Sequence, residues 1–119
     1  MHFCWVTLRV SHMENSLAFY HEMLGLPISS RYRSGDADIA MLGDEDQPKI
    51  ELIQREGQAA APSSGISIGV AVDSLEEISE FLKSKGIAIV RGPISPNPHI
   101  RFSFVHDPDG YEVQLVENR

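Results

Sequence analysis

From residue 3 to residue 10 the chain reads FCWVTLRV, a stretch rich in β-branched and aromatic residues that predicts a strand. Phe3, Val6, Leu8 and Val10 supply its apolar content. The period then lengthens. In SHMENSLAFYHEMLG, Leu17, Tyr20, Met23 and Leu24 recur at helical spacing, with Phe19 beside them. Ser11 or Asn15 can cap the start of this helix. Gly25 stands where a left-handed C-terminal residue is wanted, and Pro27 blocks continuation. Short strands are predicted at 28–33, 37–42 and 49–55, with breaks at Ser34-Gly35 and across GDEDQP at 43–48. The acidic tract has too few alternating ligands for a calcium loop and reads as a solvated hairpin loop. Residues 57–65, GQAAAPSSG, are small and polar and read as a connector.

The same grammar then restarts. ISIGVAVD at 66–73 predicts a strand, and SLEEISEFLKSKG at 74–86 predicts a helix. Ser74 and Glu77 form a capping box and Gly86 supplies the stop. Leu75, Ile78, Phe81 and Leu82 make the expected core stripe. Strands follow at 87–92, 99–106 and 111–117, with HDPDG at 106–110 as the last turn, a purely structural one. Spacing supports a duplication. Val10 to Phe19 is nine residues, as is Val72 to Phe81, and Asp44 to Glu51 is seven, as is Asp107 to Gln114. Each half reads βαβββ. One four-stranded sheet with a single helix leaves a face open, so the two halves need each other. The expected architecture is α+β: one domain over 1–119 made of two tandem βαβββ modules (1–56 and 66–119, joined by 57–65) whose sheets curve around a shared cleft.

Composition narrows the function. The 119 residues carry 17 Asp and Glu against 10 Lys and Arg, a net charge of −7, with no basic cluster, which sets nucleic acid aside. No apolar run reaches the length of a membrane span, and the N-terminus lacks the pattern of a signal peptide. A lone cysteine, Cys4, cannot pair within the chain and is expected to be a buried thiol in a cytoplasmic protein.

The segments LRVSHMENSLAFYHEMLGL and FVHDPDGYEVQLVE resemble the vicinal oxygen chelate superfamily of glyoxalases, bleomycin-resistance proteins and dioxygenases. Within it the likeness is to glyoxalase I, the lactoylglutathione lyases. That resemblance implies four cleft-facing metal positions, on the first and last strand of each module. Here they are Trp5, Glu51, Ser67 and Gln114, where the family's glyoxalases place His or Gln, Glu, His and Glu. An indole nitrogen has no lone pair to give, and serine is a poor ligand unless deprotonated. Two oxygens do not make a tight transition-metal site. No cofactor is therefore expected; a divalent ion such as Ni²⁺, Zn²⁺ or Mn²⁺ would have only Glu51 and Gln114 to hold it. His2 lies on the opposite parity to Trp5, His99 and His106 flank the penultimate strand, and His12 and His21 lie at the first helix, so a rescued metal site would have to draw on His2 or His99; the iron triad of a dioxygenase is absent.

Glu51 is the one surviving candidate for a general base, since an amide at 114 cannot serve. A carboxylate in KIELIQ needs a partner, and Lys49, Arg55 and Arg9 are the candidates. Arg9 shares parity with Trp5 and Thr7, and the resemblance gives it an acidic part of the ligand to hold. Phe102 and Phe104 lie on one face of RFSFV and can line an apolar pocket. The expected activity is the binding of a small organic ligand, anionic or aromatic, in a metal-free cleft, as bleomycin-resistance proteins do by sequestration. The alternative is a lyase or isomerase of the lactoylglutathione lyase type with Glu51 as base. The resemblance also implies a homodimer.

Overall fold

The computed structural model describes residues 1–119 as two compact units, Met1–Ala61 and Pro62–Arg119. The boundary falls inside the small, polar connector. In the first unit β1 (Trp5–Arg9) leads into helix α1 (Met13–Leu17), which widens into a π-helical turn over Ala18–Met23. Strands β2 (Ile28–Ser34), β3 (Ala37–Leu42) and β4 (Lys49–Arg55) complete a sheet of order β1-β4-β3-β2. The second unit repeats the plan with β5 (Ser67–Ala71), α2 (Leu75–Ser84), β6 (Arg91–Asn97), β7 (Ile100–His106) and β8 (Glu112–Asn118), in the order β5-β8-β7-β6. First and last strands run parallel in each unit, and the other pairs are antiparallel.

Alternation sorts each sheet into two faces. Leu8, Val10, Ala40, Leu42, Ile50 and Leu52 are buried on the helix side of the first sheet, with Leu17, Phe19 and Tyr20 from the helix. Val70, Val105, Val113 and Leu115 do the same in the second, with Leu75 and Leu82 of α2. The far face of each sheet, turned away from its helix, carries the polar and aromatic residues considered below. Both helices end on a glycine in the left-handed region, Gly25 at φ 78° and Gly86 at φ 83°, which a side chain would resist.

Helix starts differ from expectation in one unit. Ser74 Oγ accepts from Glu77 N at 3.1 Å, as a capping box requires. Neither Ser11 nor Asn15 caps α1; His12 holds the N-cap position without a side-chain bond. Instead Gln54 Oε1, from β4, accepts from Met13 N at 2.8 Å. Glu117 Oε2, from β8, accepts from Leu75 N at 2.7 Å in the matching place. Long-range caps of this kind leave no local signal.

Three further expectations are corrected. The strand placed at 87–92 lies at Arg91–Asn97. The apolar run IAIV suggested a strand, whereas the true one contains Pro93 and Pro96. It tolerates them because β6 is an edge with two register shifts, so missing N–H groups cost no ladder bonds. Phe81 is 41% exposed rather than part of the core stripe, and Lys85 Nζ lies 5.7 Å from its ring centre. Cys4 is exposed, because residues 1–4 precede β1 and stay at the surface. No helix is long and apolar enough to cross a membrane.

Candidate functional site

The far face of the first sheet is built on the parallel register of β1 and β4. It sets Trp5 beside Lys49, Thr7 beside Glu51, and Arg9 beside Ile53. Thr7 Oγ1 donates to Glu51 Oε1 at 2.6 Å, the short distance of a hydroxyl bonded to a charged oxygen. Threonine is thus the partner of the half-buried strand carboxylate. Lys49 and Arg55, two of the three cations expected for that task, are engaged elsewhere. Lys49 Nζ donates to the backbone carbonyls of Asp44, Glu45 and Gln47, and Arg55 pairs with Asp36 at 3.1 Å. Trp5 leaves half of its surface in solvent.

In the second unit Gln114 Nε2 donates to Ser67 Oγ at 2.7 Å. The amide thereby keeps its oxygen and one N–H for other partners. Phe102 and Phe104 meet edge to face at 5.7 Å between ring centres. The Arg91 guanidinium lies 3.8 Å over the Phe104 ring and donates to Glu112 Oε1 at 3.1 Å. Sequence reasoning missed both of these. Glu112 has the parity of Gln114, so alternation could have found it. Arg91 was out of reach because its strand was misplaced, and the bulged register of β6 is what brings it opposite Phe104.

Within each unit the structure puts four of the candidate residues on one face. Trp5, Thr7, Arg9 and Glu51 share the first far face, while Ser67, Phe102, Phe104 and Gln114 share the second. Their chemistry does not fit a tightly held divalent metal. Trp5 offers no lone pair and Ser67 only a neutral hydroxyl that already accepts from Gln114, which leaves the oxygens of Glu51 and Gln114 as the donors. Nowhere do three or more His, Cys, Asp or Glu side chains converge as a ligand set. His21 Nδ1 is taken by the Leu26 carbonyl at 2.7 Å, and His106 stands exposed at the end of β7.

The turn before β8 is structural, as expected. Buried Asp107 accepts from the backbone N–H groups of Asp109 and Tyr111 at 2.9 Å each, which fixes where β8 begins and hence the register of Gln114. Glu117 lies on the opposite, helix side of β8. Its bond from Leu75 N, then those from Arg101, hold its carboxyl below the usual carboxylate range.

Residues 2–115 match the Glyoxalase/Bleomycin resistance protein/Dioxygenase superfamily. The chain is 31% identical over 121 residues to the lactoylglutathione lyase of Neisseria meningitidis serogroup A, covering 94% of this chain and 87% of that one. Its fold resembles that of Leishmania major glyoxalase I, with a TM-score of 0.84 at 21% identity, over 98% of this chain and 86% of that one. It also resembles TnmS3, an antibiotic binding protein from Streptomyces sp. CB03234, with a TM-score of 0.75 at 19% identity, over 100% of this chain and 97% of that one.

Proposed function

Given that the chain belongs to the glyoxalase/bleomycin resistance protein/dioxygenase superfamily, we propose that it binds a small organic ligand on the far faces of its sheets without the usual divalent metal. The observation that carries this reading is the donor set at the four family positions: an indole, a threonine-bonded carboxylate, and a serine and glutamine bonded to one another. Such groups suit hydrogen bonding and stacking better than metal coordination. Arg9, Thr7, Glu51 and Gln114 supply polar contacts, and Trp5, Phe102 and Phe104 supply apolar surface. An antibiotic binding protein of the same fold is compatible with this role. The reading includes a homodimer, which sedimentation velocity checks.

Calorimetric titration of the purified chain with Ni²⁺, Zn²⁺ and Mn²⁺ tests the metal-free part. The expected result is no stoichiometric binding tighter than about 1 mM, about −4 kcal/mol. Tight one-to-one binding by any of the three overturns it.

The relationship to the Neisseria lactoylglutathione lyase favours a second reading, a lyase of that type with Glu51 as general base. Here Thr7 would orient the carboxylate. If the chain isomerises the hemithioacetal of methylglyoxal and glutathione to S-lactoylglutathione and Glu51→Gln removes that activity by about a hundredfold or more, this reading replaces the first.

A further inference from the structure

One end of the first unit's far face opens into a cavity of about 650 Å³, lined by Phe3, Trp5, Met41, Glu45, Asp46 and Lys49 among others. That size suits a small molecule. Phe3 is 66% exposed and Trp5 51% exposed, so two aromatic rings are left wet at a concave surface.

The charges there are unequal. Neither Glu45 nor Asp46 takes part in any of the chain's ion pairs. The nearby cation, Lys49, sets one positive charge against their two and is committed to the backbone. An ammonium has three N–H donors, and Lys49 gives all three to backbone carbonyls of the loop that carries the two carboxylates. The lysine closes that loop and keeps no donor for an incoming anion. The cavity thus offers two unpaired carboxylates beside exposed aromatic faces, and both attract positive charge.

We propose that this cavity is an organic-ammonium site, taking an amine or quaternary ammonium with an aromatic or apolar body. The proposal rests on the small-molecule reading above, since Trp5 belongs to both, and names the charge of the ligand's end that meets Trp5.

Trp5 is the chain's one tryptophan, so its fluorescence reports directly on the cavity. The full chain is titrated with benzyltrimethylammonium, benzyl alcohol and benzoate, while amide NMR shifts are followed at Thr7 and Glu51. Benzyltrimethylammonium is expected to perturb Trp5 saturably at about tenfold lower concentration than benzyl alcohol, with benzoate weakest, as charge recognition over an indole requires. The Glu45→Gln/Asp46→Asn double variant, changed at two exposed loop positions, should weaken the ammonium about fivefold or more and leave the alcohol unaltered. Equal response to all three compounds, or an unchanged double variant, overturns the ammonium site. If Thr7 and Glu51 still shift in that case, the small-molecule reading survives without it. Silence at Trp5, Thr7 and Glu51 with every compound overturns both. A Trp5 emission that follows protein concentration and ignores the compounds gives the cavity to a second copy of the chain and also overturns the site.

Discussion

The two units share strand order, helix position and the register of their parallel strand pairs, yet their far faces differ in chemistry. In the first, a carboxylate at position 51 is bonded by a threonine across the β1–β4 pair. In the second, the corresponding position holds an amide, bonded to a serine on the diagonal of β5–β8. One face therefore holds a threonine-bonded carboxylate, and the other a neutral pair beside the Arg91–Glu112 ion pair, with Arg91 stacked on Phe104. The helix sides show the reverse distribution. Neutral Gln54 ties down the start of α1, whereas Glu117 ties down α2 and gathers Arg101 and Arg119. A duplicated scaffold tolerates such divergence because each polar bond is local to one strand pair, while the apolar side that holds the unit together is kept.

The largest effects should come from that shared apolar side. Leu52 and Leu115 are fully buried on the central strands β4 and β8. Leu52→Ala and Leu115→Ala should each cost about 3 kcal/mol, read by urea denaturation. Matching losses would sharpen the equivalence of the two cores; a loss under about 1 kcal/mol in one of them would break it.

The helix caps should separate the units by pH. The Glu117 carboxyl titrates lower in the folded state than in the unfolded one, so its stabilisation is present above the unfolded pKa. It is lost as pH falls through the folded pKa. Glu117→Gln should lower the melting temperature at neutral pH and converge on the wild type in acid. Gln54→Ala should cost about 1 kcal/mol at every pH, since its bond to Met13 N involves no titrating group. Parallel pH profiles for the two variants would erase the distinction.

The smallest effect belongs to the first unit's surface. Arg31 bonds Asp38 at 3.0 Å and Glu14 at 2.8 Å, and these carboxylates, Asp38 first, hold its pKa above the ordinary value. Glu14 is well exposed. Glu14→Gln should change stability by less than about 0.5 kcal/mol, with Asp38 retaining the guanidinium. A larger loss would mean that this pair ties helix to sheet more firmly than solvent screening allows.

Much of this organisation was legible in the residues themselves. Glycine punctuation at 25 and 86, the Ser74 capping box and the paired spacings carried the duplicated βαβββ plan, because turn and helix signals act within a few residues. Alternation put Trp5, Thr7 and Arg9 on one face of their strand and Phe102 with Phe104 on one face of theirs, while the cleft positions of Glu51 and Gln114 came from the family resemblance. What alternation cannot supply is pairing across strands. That Glu51 is met by Thr7, rather than by Lys49 or Arg55, follows from the β1–β4 register and from a loop whose carbonyls capture the lysine. That Arg91 lies over Phe104 follows from a bulged edge strand whose prolines conceal it in the sequence. The sequence by itself determined the periodicities, the turns and the identity of the donors, all set by neighbours along the chain. Only the tertiary structure decided which donors meet, where Cys4 and Phe81 face solvent, and that a cavity forms beside Trp5, because these depend on contacts between residues tens of positions apart.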